Sequence, residues 1–298
     1  MKKYNYNFTV VTPGGCNADC SFCTDKMNYK MSKNYFENLY NIVFSKKLPH
    51  QFDQVSISGG EPTNSKHLHS ILALLGVARE QGIFNKVVLT TNGAKLLDHV
   101  HAIGDNVNHL NISRHGIGFD KNVEVFKTKD IASDEVIKTA AITLGKRGVD
   151  INFNHVYDDT EGFDDKYVLD YIEYAKSLGV TKVTFRHDQN KNQLSQTKLE
   201  KYFEDYKIVE EGSCQVCRNH TILVSGMYVS FKSSFAEPSN YLGEMYELIY
   251  HPSGKLTTDW EGQKEYSSPS IKPDFDLIYR TYPVSSGSGG CGSGGCGK

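Results

Sequence analysis

Six short apolar runs alternate with helix-period segments over the first 190 or so residues, and few folds accommodate that order. The runs 8–12, 54–58, 86–91, 109–113, 150–154 and 182–186 have strand length and strand composition. Between them lie apolar sets at helical spacing: Phe36, Leu39, Tyr40, Val43 and Phe44; then Leu68, Ile71, Leu72 and Leu75. A helix over 96–103 follows, then Val136, Ile137, Ala140 and Leu144 behind a capping Ser133. Val168, Leu169, Ile172 and Ala175 form the last set, with Gly179 placed to stop it. Only 115–132 shows no clear period. Strand, crossover helix and strand in repetition predict a mainly parallel sheet with right-handed crossovers, an α/β chain wound as a partial (β/α)6 TIM-like barrel.

The pattern changes after residue 190. A polar stretch over 190–197 reads as a linker into a short helix carrying Leu199, Tyr202 and Phe203. Two hairpins follow, 221–224 with 227–231 across Ser225-Gly226, and 248–250 with 255–258 across Ser253-Gly254. Residues 285–298 are Gly, Ser and Cys-rich and of low complexity. The expected organisation is a barrel over 1–190, a smaller α+β segment over 191–284 closing over the barrel mouth, and a tail over 285–298. A length of 298 residues supplies ample core, and a net charge of −2 gives no general basic field for nucleic acid. No apolar run is long enough to span a membrane, and the first residues lack a signal-peptide apolar region. Seven cysteines in close groups argue against a secreted disulfide framework, so a cytoplasmic protein is expected.

In parallel α/β folds ligands collect beyond the carboxyl ends of the strands. Cys16, Cys20 and Cys23, a C-x3-C-x2-C array, follow the first run; Gly59-Gly60-Glu61-Pro62 follows the second and Asn92 the third. Ser113 and Arg114, Asn154, and Arg186 end the fourth, fifth and sixth. Three thiolates on one short loop suit an iron–sulfur cluster with one iron left open. A zinc site would need a fourth ligand, and only Asp19 or Asp25 is near in sequence. Disulfide pairing leaves one thiol over, and inert buried cysteines have no need to crowd between glycines.

The C-x3-C-x2-C array, with aromatic Phe22 before its last cysteine, resembles the signature of the radical S-adenosylmethionine (radical SAM) superfamily. Ser58-Gly59-Gly60-Glu61-Pro62 is similar to that superfamily's glycine-rich second motif, and Thr91-Asn92-Gly93 also fits. The resemblance implies that Cys16, Cys20 and Cys23 hold a [4Fe–4S] cluster whose fourth iron is chelated by S-adenosylmethionine. Reductive cleavage would give methionine and a 5′-deoxyadenosyl radical that takes hydrogen from the substrate. It further implies cofactor-binding roles for Gly59, Gly60, Glu61, Pro62, Phe22 and Asn92, with Ser113 and Asn154 near the ribose or methionine carboxylate. An electron donor such as flavodoxin or ferredoxin is implied as a partner. Arg114 or Arg186 would pair with a carboxylate of cofactor or substrate. His115, His155 and His187 read as packed or solvated rather than as acids or bases.

Cys214 and Cys217 form a C-x2-C pair before a hairpin, which resembles the auxiliary-cluster region of the molybdopterin-precursor cyclase and related peptide-maturing enzymes. Those enzymes carry a further cysteine after the hairpin, and none occurs here over 228–234. Cys291 and Cys296 in the tail would complete four ligands for a second cluster or a zinc site; otherwise the tail is a solvated linker. Because the first strand begins almost at once, with no leader-binding module evident, a small-molecule or nucleotide substrate is expected ahead of a peptide. The reading from another class is a non-catalytic iron–sulfur or zinc protein serving as redox carrier or sensor, which would have no use for Gly59–Pro62.

Overall fold

Alternation of outward apolar and inward polar side chains along six parallel strands builds the frame. The structure, a computed structural model, describes residues 6–23, 25, 30–44, 52–157, 164–188, 203, 205–211, 220–232 and 247–266. Strands β1 (Tyr6–Val11), β2 (Phe52–Ser58), β3 (Lys86–Thr91), β4 (His109–Ser113), β5 (Asp150–Tyr157) and β6 (Lys182–His187) pair in parallel in chain order. Helices α1 (Tyr35–Phe44), α2 (Leu68–Glu80), α3 (Val100–Asn106), α4 (Phe119–Phe126), α5 (Asp134–Gly145) and α6 (Asp165–Ser177) fill the crossovers. The sheet does not close, as a partial barrel requires: β1 and β6 are not paired to each other.

The strands after residue 190 extend both edges of the same sheet. β7 (Ile208–Glu211), β8 (His220–Val224) and β9 (Met227–Lys232) add on beyond β6, with β9 parallel to it. β10 (Glu247–Tyr250) runs parallel to β1 on the other side, and β11 (Leu256–Thr257) pairs antiparallel with β10. Both expected hairpins form, the first through left-handed backbone at Ser225 and Gly226 that matches strand twist.

The outward faces make one apolar core with the helices. Phe8, Val55, Ile57, Val87, Leu89, Leu110, Ile112, Phe153, Val183 and Phe185 pack against Leu39, Leu72, Ile103, Ile137 and Ile172. Burying a side chain of this size is worth about 1.5–3 kcal/mol, so this layer dominates stability. The inward faces are polar and bonded to one another. Asn152 donates to Asn111 (2.7 Å) and Asn154 (2.9 Å), Thr184 donates to Asn152 (3.0 Å), and Ser56 donates to Asn7 (2.7 Å).

Some local expectations change. Tyr40 and Leu169, expected on buried helix faces, are exposed, and Tyr171 is buried in place of Leu169. The 96–103 helix is a 3-10 turn, Leu96–His99, leading into α3. Residues 115–132, aperiodic in sequence, contain α4; its Phe126 packs with Cys20 and Ile131, and Asn122 ties it to the Gly116 and Gly118 carbonyls. β7 was not foreseen. Leu199 and Tyr202 of the expected short helix, and the tail, lie outside the described residues.

Candidate active site

The cysteine loop leaves β1 and is fastened on three sides. Its Asp19 N–H donates to the Phe126 carbonyl (3.1 Å), and its Gly15 carbonyl accepts from the Glu61 N–H (2.9 Å). Asn17 donates to the Asp130 carbonyl and accepts from the Asn92 amide (2.9 Å). Cys16 is exposed, Cys23 half-buried and Cys20 buried. Burial pushes the Cys20 thiol up to about 12, with repulsion from Cys23 and Cys16 adding to it. Cys16 is raised by burial too, and by the negative charges of Glu61, Cys23 and Asp25. Thiols in this state stay protonated until a cation offsets their mutual repulsion.

The Gly59-Gly60 turn lies directly against that loop. Gly60 adopts φ +55°, and a Cβ there would collide with the Gly15 carbonyl oxygen. A Cβ on Gly59 would strike Val11. Only glycine brings the two backbones this close. The Gly60 N–H donates to the Asp25 carboxylate (2.8 Å), a tie from the far end of the cysteine loop. Glu61 then caps the 3-10 turn Pro62–Asn64, with Pro62 at its first position. The Glu61 carboxylate accepts from the Thr63 N–H (2.9 Å), the Thr63 hydroxyl (2.7 Å), the Thr91 hydroxyl and the Asn92 N–H (2.7 Å). Burial raises its pKa while these bonds pull the other way. One carboxylate thus joins the ends of β2 and β3.

These parts share one cleft at the carboxyl ends of the strands. Its wall includes Cys16, Cys20, Cys23, Phe22, Gly59, Gly60, Glu61, Asn92, Ser113 and Asn154. Pro62 is buried in its turn and is not among the residues lining the cleft. Both polar ends of the Asn92 side chain are engaged, one with Asn17 and one with the Ala94 N–H (3.0 Å). The Asn154 amide oxygen accepts from Asn152, so its NH2 is left to act as a donor. Phe22 meets the His115 ring edge-on at 4.6 Å. His115 accepts the Val156 N–H on Nδ1 (3.0 Å), which fixes the Nε2–H tautomer, and burial holds it neutral.

Arg114 corrects an expectation. It is fully buried, directed away from the cleft, donates to the Ala132 carbonyl and lies 3.7 Å from Asp134. It follows Ser113 in a strand, and consecutive strand residues point to opposite faces. Arg186 does line the cleft. His155 is buried outside the barrel and accepts from Tyr167 (3.0 Å). The reading from sequence missed Asn17 and Trp260; Trp260, the single tryptophan of the chain, comes from beyond β11 to line the cleft. Cys214, Cys217, Cys291 and Cys296 lie outside the described residues. Among the described residues no three His, Cys, Asp or Glu side chains converge as ligands of a single metal ion must.

Comparison with known proteins agrees with this geometry. The family model of the radical SAM superfamily matches residues 10–187, and the chain belongs to that superfamily. The GTP 3',8-cyclase of Aquifex aeolicus is 26% identical over 174 residues, covering 56% of this chain and 51% of the cyclase. The chain therefore spans about half the length of that curated relative. Streptococcus suis SuiB bound to its precursor peptide SuiA superposes with TM-score 0.61 at 13% identity, over 93% of this chain and 65% of SuiB. SuiB bound to S-adenosylmethionine gives TM-score 0.58 at 14% identity, over 95% and 67%. These likenesses establish the fold: a radical SAM partial barrel. No helix among the described residues is long and apolar enough to cross a membrane.

Proposed function

We propose that the chain is a radical SAM enzyme in which Cys16, Cys20 and Cys23 hold a [4Fe–4S] cluster and the Gly59–Gly60 backbone seats S-adenosylmethionine beside it. The observation that carries this reading is the cleft itself, where three thiols on one loop face the glycine turn packed against that loop. The donor set fits the group: three thiols spread along one loop suit a cluster several atoms across better than one zinc ion. When bound, the pair supplies reductive cleavage of the sulfonium and a hydrogen-abstracting adenosyl radical. The residues of this chain do the rest. Asp25, Glu61 and Asn92 hold the cysteine loop, the second motif and the end of β3 in one arrangement. The Asn154 NH2 and the Ser113 hydroxyl offer hydrogen bonds to ribose or carboxylate oxygens. Phe22 and Phe126 line the cleft and give the cysteine loop an apolar flank.

Residues 1–190 are the catalytic barrel in this reading, and 191–284 extend its sheet and supply part of its wall. A small molecule or nucleotide is the substrate proposed first; a peptide is the second reading, favoured by the likeness to SuiB over 93% of the chain. A flavodoxin or ferredoxin would deliver the electron, in the cytoplasm. Cys214 and Cys217, with Cys291 and Cys296, are proposed as ligands of a second cluster or zinc. Anaerobic reconstitution with iron and sulfide, then reduction by dithionite in the presence of S-adenosylmethionine, tests the main reading. Methionine and 5′-deoxyadenosine should form, and Cys→Ala changes at 16, 20 or 23 should remove about four irons per chain with all cleavage. An intact cluster that yields neither product would sink the proposal.

A further inference from the structure

Part of the cleft wall, Trp260 and Arg186, is held from behind by a buried carboxylate on β10. Glu247 accepts from Asn7 (2.9 Å) and Thr9 (2.7 Å) on β1, and from the Trp260 indole. It also faces Arg186 closely enough for the two charges to stabilise each other. Glu247 is 4% exposed, so its bonds are made in a low-dielectric interior where they hold their partners firmly. Trp260 is held by its polar edge. The loop that carries it is fixed as well: the Asp259 carboxylate accepts from the Gln263 N–H (2.9 Å) and Lys264 N–H (2.6 Å), and Thr257 donates to the Asp259 carbonyl (2.7 Å). Arg186 and Asp188, two apart on the chain, line the same cleft as Trp260. An indole, a guanidinium fork and a carboxylate therefore line the same cleft as the cysteines and the glycine turn.

Each of these groups has a partner in one kind of molecule. An indole stacks on a nucleobase. A guanidinium binds phosphate oxygens in a paired geometry that lysine does not offer. A carboxylate accepts from ribose hydroxyls. We propose that this wall recognises a nucleoside phosphate as substrate, with the base on Trp260, a phosphate at Arg186 and the ribose toward Asp188, and that Glu247 is the positioning residue that sets Trp260 and Arg186. The proposal rests on the reading of the cleft as a radical SAM site. Glu247 and Trp260 lie outside the residues 10–187 matched by the family model, and Arg186 lies within them.

The single tryptophan makes the wall readable by its own fluorescence. Reconstituted full-length enzyme, saturated with S-adenosylhomocysteine and excited at the red edge of the indole band, is titrated with GTP, ATP, CTP and UTP. The matching nucleosides and a glycine-rich hexapeptide are titrated in parallel. At least one triphosphate should quench Trp260 saturably and bind about tenfold or more tightly than its nucleoside, the effect of one charge-assisted pair. In Arg186→Gln/Glu247→Gln, which leaves neither charge buried alone, that preference should vanish, with the nucleoside affinity within about twofold of that of Glu247→Gln alone. Glu247→Gln alone should shift the indole emission to the red and weaken base binding. The proposal is overturned if no triphosphate quenches, if nucleoside and triphosphate bind alike, if only the peptide binds, or if the double variant loses S-adenosylhomocysteine as well. Cluster content, and 5′-deoxyadenosine formation in parallel samples given S-adenosylmethionine and dithionite in place of S-adenosylhomocysteine, judge the underlying reading separately.

Discussion

At the residue scale, the catalytic end of the fold depends on two groups with no freedom to change. Gly60 has both a left-handed backbone and a carbonyl oxygen in the space a Cβ would take. Gly60→Ala should cost about 1–3 kcal/mol of stability and displace the cysteine loop through Gly15. Calorimetry should show weaker binding of S-adenosylmethionine to the variant; unaltered affinity would separate the turn from the cofactor. Glu61 was legible in the sequence as part of a motif, but its chemistry was not. Four donors from two segments meet its carboxylate, and only the tertiary fold brings Thr91 and Asn92 to it. The single tryptophan was equally visible in the sequence, yet nothing local says that a residue so far along the chain faces the cysteines.

At the scale of elements, local sequence chemistry succeeds where the element is self-contained. Ser133 reads as a cap, and its hydroxyl does accept from the Val136 N–H (3.3 Å). Ser133→Ala should lower stability by about 1 kcal/mol, measured by urea unfolding, and leave 5′-deoxyadenosine formation intact. The helix α4 shows the opposite case. Two turns of chain are too short to form a stable helix alone, and its apolar residues Phe119, Val123 and Phe126 serve the cysteine loop rather than the main core. The strands also carried a signal that was passed over. β4, β5 and β6 alternate polar with apolar, whereas a strand covered on both faces by apolar layers reads as a continuous apolar run. Alternation within a parallel sheet points to a polar interior, and the bonded asparagines are that interior.

At the scale of the whole molecule, burying polar groups inside an incomplete barrel makes stability depend on pH. Burial lowers His109 and His155 to about 3, far under the ordinary imidazole value. A group whose folded pKa is lowered refuses a proton that the unfolded chain accepts. Its contribution is therefore full above about pH 6.5 and is lost as pH falls, at about 1.4 kcal/mol per unit for each histidine. Glu61 and Glu247, raised by burial, act in the opposite sense as pH rises through their folded values. Comparing wild type with His109→Gln isolates one histidine: the gap in urea-unfolding free energy between pH 7 and pH 5 should shrink in the variant, and an unchanged gap would refute the assignment. By itself the sequence determined the order of strands and helices, the thiol loop and the glycine turn, because periodicity, turn chemistry and motif spacing are local properties. The tertiary structure alone decided that the C-terminal strands extend both edges of the sheet, that Arg114 turns into the wall while Arg186 faces the cleft, and that Glu247 brings Trp260 to the site. Those outcomes depend on which strands become neighbours, and pairing is settled by burial summed over the whole chain rather than by any stretch of it.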